Sequence, residues 1–208
     1  TLMLYIASEQ ESFLLKMMNL NLFPILMKNI VSLFVSNVVI GELHKQWAEE
    51  YNEKVKELRK DIKEFKKLLS ERSDIKQETL LSSLESIISS TYLPQHSVIE
   101  DNFRKSNVRI LPFPNTSLEE VYERDIKNHK PFKRDGRGFR DFLIWKALCE
   151  NLEKTDEFCC DVFFITDNSK DFADAKGSSL HEDFLKDVPE NYKINLVKSI
   201  SDFLNHDF

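Results

Sequence analysis

The 208-residue sequence is poor in the two residues that interrupt regular structure, with four Gly and six Pro. Such low counts argue against a disordered chain and against a turn-rich, all-β fold. The sequence also has no apolar run near the ~20 residues that a membrane-spanning helix needs. The apolar run at 2–6 is too short for a signal peptide. We therefore expect a single globular domain over residues 1–208 in the cytoplasm, with no membrane partner.

Common metal and disulfide spacings are missing as well. The three cysteines include no CxxC pair, and the five histidines form no HxxxH or HExxH pair. A zinc site and a disulfide framework are therefore not expected. The net charge of −6 argues against a broad nucleic-acid-binding surface, but it leaves room for a local basic patch.

Short apolar runs alternate with helical patterns along the chain. The apolar runs predict strands at 2–6, 31–35, 108–114, 162–165 and 193–197. Helical spacing predicts two helices within 13–27, a long helix over 38–70, more helix within 74–107, and helices at 139–152, 180–185 and 199–204. This alternation predicts an α/β fold, with three α/β/α layers around a central parallel sheet. An insertion at about 45–107 is expected to project as a helical arm.

Acidic and amide side chains follow several of these strands. Asp167, Asn168 and Asp171 follow the strand at 162–165, Glu42 lies a turn into the long helix, and Asp141 begins a later helix. In a parallel sheet these positions share the edge where the strands end. Carboxylates gathered there need a counter-charge, which Mg²⁺ or Mn²⁺ with oxygen ligands would supply. Such an ion can turn bound water into a nucleophile against a phosphodiester.

The segment 127–140 is basic and contains Gly136 and Gly138. Its cations are Lys127, Lys130, Lys133, Arg134, Arg137 and Arg140. Two interpretations stay open. The cations from Lys130 onward hold phosphates beside the acidic cluster, with salt-dependent affinity, or the segment is a solvated loop whose lysines pair with acids.

Three stretches, taken in order, resemble the motifs of PIN-domain nucleases. They are SNVVIGELHKQW at 36–47, GRGFRDFLIWKAL at 136–148 and DVFFITDNSKDF at 161–172. The resemblance covers about 2–205 and is closer to bacterial PIN-like proteins of an uncharacterised subfamily with a long helical insertion. It implies a PIN-like fold and a Mg²⁺- or Mn²⁺-dependent nuclease, with RNA ahead of DNA as substrate. A toxin–antitoxin or phage-defence role fits such a protein, but no residue of the sequence establishes it.

The resemblance also implies roles for particular residues. The family's metal-binding and catalytic positions carry over to Glu42, Asp141 and Asn168. Asp171 is expected beside them as a fourth catalytic residue, and the nearby acids Asp167 and Asp171 as further metal ligands. Thr166 corresponds to the hydroxyl that orients the site.

The sequence departs from the family where the first strand ends. The family has an aspartate there, usually followed by Thr or Ser, and this chain has Ala7 followed by Ser8. An engineered Asp-to-Ala change and a natural loss both fit, and a register that uses Glu9 would misplace the carboxylate. We interpret Ala7 as standing where an aspartate belongs. On that interpretation the chain binds metal poorly and cleaves slowly or not at all.

A second functional class fits the same sequence. In it the chain is a non-catalytic PIN-like interaction module for nucleic acid or protein, and the helical arm at 38–107 docks a protein partner or a second copy in a homodimer.

Overall fold

The computed structural model describes residues 2–6, 31–69, 79, 82–84, 86–88, 96–155, 161–177 and 179–205. Within these residues one parallel sheet has the strand order β3-β2-β1-β4-β5. Its strands are β1 (Leu2–Ile6), β2 (Val31–Ser36), β3 (Val108–Leu111), β4 (Asp161–Ile165) and β5 (Lys193–Val197). The α/β class and all five predicted strands are confirmed, with ends that differ by three residues or fewer.

The register of the sheet brings the carboxyl ends of its central strands level with one another. Ile6 of β1 is paired with Val35 of β2 on one side and with Ile165 of β4 on the other. Ile165 is in turn paired with Val197 of β5. Residues that follow these strands therefore emerge at one edge, which is where ligands bind in open α/β sheets.

Seven helices are bounded within the described residues. They are α1 (Asn37–Leu69), α2 (His96–Lys105), α3 (Leu118–Ile126), α4 (Phe139–Glu153), α5 (Ser169–Phe172), α6 (Glu182–Leu185) and α7 (Ile200–Leu204). Helix α5 forms directly after β4, where no helix is predicted, and the predicted helix at 180–185 is shorter. The two helices predicted within 13–27 lie outside the described residues.

The long helix α1 is confirmed, and its 33 residues give it a length of about 50 Å. The Ser36 hydroxyl accepts the Val38 N–H at 3.2 Å and so caps the start of the helix. The first turns are buried, but farther along Phe65 is 53% exposed and Ile62 is buried. Helix α2 packs against α1 and β3. The apolar side chains of α1 therefore face the protein near the sheet and only in part beyond it.

Aromatic side chains form the centre of the core. The Trp145 ring lies edge-on to Phe164, with centroids 5.5 Å apart, and to Phe184 at 4.9 Å. Phe172 stacks on Phe184 with centroids 5.1 Å apart. Trp145 and Phe142 are both fully buried in this core. Among the described residues, no helix is long and apolar enough to cross a membrane.

Candidate active site

The turn after β4 is fixed by the Thr166 hydroxyl. Thr166 is fully buried, and its N–H donates to the Val197 carbonyl at 3.0 Å, which extends the β4–β5 pairing by one residue. Its side-chain oxygen accepts the Asn168 N–H at 3.1 Å. Thr166 therefore sets where the chain leaves the sheet and where Asn168 begins the next helix.

Asp171, on α5, is a buried acid at this edge of the sheet. It is 7% exposed, and its Oδ2 accepts a hydrogen bond from Asn168 Nδ2 at 2.9 Å. Its Oδ1 lies 2.5 Å from the Nζ of Lys133. A buried carboxylate is stable only with such partners, because an unpaired charge is costly away from water. The basic segment thus supplies the counter-charge for one acid of the predicted site.

Glu42, on α1, is also buried and is also paired with a cation. It is 6% exposed and forms an ion pair with Arg140, whose side chain is 61% exposed. Arg140 lies in the first turn of α4, next to Asp141. The Glu42–Arg140 pair therefore joins the start of α1 to the start of α4.

A cleft of about 570 Å³ opens where the basic segment meets the end of β4. We call it the site cleft. It is lined by Lys133, Gly136, Arg137, Gly138, Phe139, Arg140, Asp141, Asn168 and Asp171. Acids, an amide and three cations thus share one concave surface, which is the usual shape of a ligand site.

The basic segment folds tightly at its glycines. Gly138 has φ +114°, and a Cβ added to it would lie 2.3 Å from the Pro131 carbonyl oxygen. The Lys133 N–H donates to the Arg137 carbonyl at 3.0 Å, which closes the loop. Arg137 in turn pairs with Asp135 and lowers the pKa of that carboxyl. Backbone hydrogen bonds and the close contact at Gly138 therefore help to shape this loop.

Arg124, on α3, anchors the start of the basic loop. Its side chain is 12% exposed, and its Nε donates to the Lys130 carbonyl at 2.9 Å. Another guanidinium nitrogen lies 2.7 Å from Asp187 Oδ2, and the guanidinium sits over the Phe142 ring at 5.4 Å. One mostly buried arginine thus ties the loop to α4 and to the segment after α6.

Asp183, on α6, holds the same part of the loop from the other side. Its Oδ2 accepts the Lys130 N–H at 3.0 Å. Burial raises the pKa of this carboxyl, but the hydrogen bond from Lys130 and the nearby His181 outweigh burial, so the pKa lies below its ordinary value. Asp183 is therefore held as a charged acceptor for the loop backbone.

Several residues of the predicted site lie together, and others lie apart. Asp141, Asn168, Asp171, Lys133, Arg137 and Arg140 line the site cleft, and Glu42 reaches it through its ion pair with Arg140. Asp167 and Arg134 are exposed and do not line the cleft. Lys130 points its Nζ at the Lys170 carbonyl, 2.8 Å away. Ala7 and Ser8 lie outside the described residues.

The donor types of the site fit a hard divalent cation, but the number of acids is small. Asp141, Asn168 and Asp171 offer only oxygen ligands, which Mg²⁺ and Mn²⁺ prefer. Across the described ranges, no group of three or more His, Cys, Asp or Glu side chains is arranged to hold a metal ion.

Two residues that shape the cleft were not identified from the sequence. Arg124 and Asp183 reach Lys130 from positions 6 and 53 residues away. Neither has a spacing that sets it apart from other surface charges, so no sequence signal marks them. Only the folded arrangement reveals their role.

A family model described as a PIN domain matches residues 12–172, which is most of the chain. No match was found among curated proteins or among solved structures. PIN domains are typically nucleases and commonly depend on divalent metal ions, so the match supports a general nuclease role. The chain therefore belongs to the PIN domain family.

Proposed function

We propose that the protein is a divalent-metal-dependent endonuclease that hydrolyses phosphodiester bonds, with RNA ahead of DNA as its substrate. One observation carries the proposal. A single cleft is lined both by Asp141, Asn168 and Asp171 and by the cations Lys133 and Arg137. Oxygen donors suit a metal ion, and cations suit a phosphate backbone, so their juxtaposition suits a phosphodiester.

In this proposal the acids hold the ion and the loop holds the substrate. Glu42, Asp141, Asn168 and Asp171 would ligate or surround Mg²⁺ or Mn²⁺, which supplies a water nucleophile and steadies the leaving oxygen when bound. Lys133, released from Asp171, would turn to a phosphate oxygen. Thr166 orients the site by holding the turn that carries Asn168.

The proposal extends to the rest of the fold. The sheet is the middle of three α/β/α layers, and the far part of α1 forms the arm that the sequence predicts. The arm would serve as a contact surface for a partner. Three apolar side chains beyond the midpoint of α1 support this role, because Leu58, Phe65 and Leu68 are 46%, 53% and 65% exposed.

A non-catalytic nucleic-acid or protein interaction module is the second candidate. The observation that favours it is that both buried acids of the site already have cations, with Lys133 on Asp171 and Arg140 on Glu42. A site whose acids are neutralised from within the chain has less need of a metal ion. Ala7 in place of an aspartate points the same way.

Calorimetric titration of Mn²⁺ separates the two candidates. The chain as given is expected to bind Mn²⁺ weakly, and Ala7→Asp is expected to bind it at least tenfold more tightly. Ala7→Asn is the matched control, since it restores the size of the side chain without its charge. If Ala7→Asp binds no better than Ala7→Asn, the metal-dependent nuclease is refuted in favour of the module.

A further inference from the structure

We propose that Phe139 is a stacking platform for one nucleobase of a strand bound in the site cleft. The inference rests on the proposed function, because it names a residue that would contact the nucleic acid in the same cleft. It assigns a binding role to a residue for which the motifs carry none.

Phe139 is an exposed phenylalanine that lies at the site cleft. It is the first residue of α4, it is 45% exposed, and it lines the site cleft. Phe142, one turn later on the same helix, is fully buried and packs against Phe132 with ring centroids 5.5 Å apart. In the part of the chain that the structure describes, no aromatic ring is paired with Phe139. Core packing therefore does not explain why the Phe139 ring is exposed.

The neighbours of Phe139 match what a nucleobase site requires. Arg137 and Arg140 lie on either side of it in sequence and line the same cleft. Cations that hold the sugar–phosphate backbone, together with an aromatic face for the base, are the standard combination for binding single strands. The Asp141 carboxylate follows within two residues, so a base on Phe139 would lie close to the proposed reacting centre.

Stacking on Phe139 would favour a single strand over a duplex, because it needs a base with a free face. A base in a duplex is already stacked on both faces and cannot offer one to a protein ring without being pulled out of the helix. A base in a single strand has a free face. Stacking tolerates any base, because every base has a π-face, so Phe139 would discriminate by strandedness and not by sequence.

The test compares the affinity for a single-stranded RNA of about 12 nucleotides with the affinity for the same sequence as a duplex. Fluorescence anisotropy would be measured with Mg²⁺ present, and gels would confirm that the RNA stays intact. Phe139→Leu keeps an apolar side chain but removes the ring, and Phe139→Trp keeps a ring. Tyr122→Leu is the matched control, because Tyr122 is a 63% exposed ring that does not line the cleft.

We expect Phe139→Leu to weaken single-strand binding about fivefold or more, with an unchanged salt slope and little effect on the duplex. Phe139→Trp should bind at least as well as the unaltered chain, and quenching of the new indole's fluorescence by the strand would report the stack. Tyr122→Leu should change nothing. Equal losses for single strand and duplex, or none for the single strand, would overturn the platform while leaving a nuclease site intact. If the unaltered chain binds neither form, nucleic-acid binding itself fails, and the platform fails with it.

Discussion

Substitution of Gly138 by alanine should displace the basic loop, and the structure gives the reason. The Gly138 backbone has φ +114°, where side chains other than glycine's are strained. An added Cβ would lie 2.3 Å from the Pro131 oxygen, 2.6 Å from the Pro131 carbonyl carbon and 2.9 Å from the Phe132 nitrogen. All three are backbone atoms, so a rotamer change cannot relieve the contact. The loop has to move or the helix start has to shift.

The expected cost can be estimated from these contacts. A non-glycine residue in a sparsely populated backbone region costs about 1–3 kcal/mol, and displacement of the loop would add the loss of the Lys133–Asp171 pair. We expect Gly138→Ala to lower the free energy of unfolding by about 3 kcal/mol or more. For a chain of this size that corresponds to a fall in Tm of about 6–12 °C.

Gly136→Ala is the matched control because it isolates the close contact. Gly136 has φ +75°, but a Cβ there would meet no atom within 4 Å. It should therefore cost only the backbone strain, about 1–2 kcal/mol, or a few degrees in Tm. Circular dichroism melts of both variants measure the difference. If Gly138→Ala melts at or above the temperature of Gly136→Ala, the tight approach of Gly138 to Pro131 is wrong.

Three further predictions concern the anchors of the loop and the core beside them. Arg124→Met, which removes the pair with Asp187 and the hydrogen bond to Lys130, should cost about 2–3 kcal/mol in urea unfolding. Arg124→Lys should recover less than half of that loss, since lysine lacks the planar fork. Trp145→Phe loses the 2.9 Å hydrogen bond to Asp187 and should cost about 1–2 kcal/mol by the same measurement. The pKa of Asp183 is lowered in the folded chain. The stabilisation that its carboxylate gives to the folded chain should therefore be complete above the unfolded pKa of about 4, and it should be lost as pH falls through the folded pKa. The stability gap to Asp183→Asn should thus shrink as pH falls below about 4, and a gap that widens there would contradict this sign.

The sequence was informative about the sheet because its strands are continuous apolar runs. β5 was predicted at its observed bounds, and the burial of Phe142 and Trp145 followed from their place in a helix that is apolar on most sides. The four-residue helix α5 was missed because so short a segment shows no periodicity. Its formation moves Asp171 from a loop onto a helix that is buried against the core.

The site was predictable where a motif fixed it and not where distant residues meet. Asp141 and Asn168 were selected from their positions at the start of a helix and after a strand, and both line the cleft. The Lys133–Asp171 pair joins residues far apart in the chain, and nothing in either local sequence signals it. Whether a lysine meets an acid or a phosphate depends on the path of the loop. That path is set by Gly138 and Arg124 rather than by the lysine itself.

Cleavage of nucleic acid by a chain that carries the proposed aspartate at position 7 tests the central claim most directly. A 5′-labelled RNA would be incubated with Ala7→Asp in Mn²⁺, alongside the double variant Ala7→Asp/Asp141→Asn, with products resolved on a gel. We expect Mn²⁺-dependent internal cleavage by Ala7→Asp that falls at least a hundredfold in the double variant, since each acid holds the ion that activates water. If Ala7→Asp cleaves no RNA or DNA with either Mn²⁺ or Mg²⁺, the proposed nuclease is contradicted.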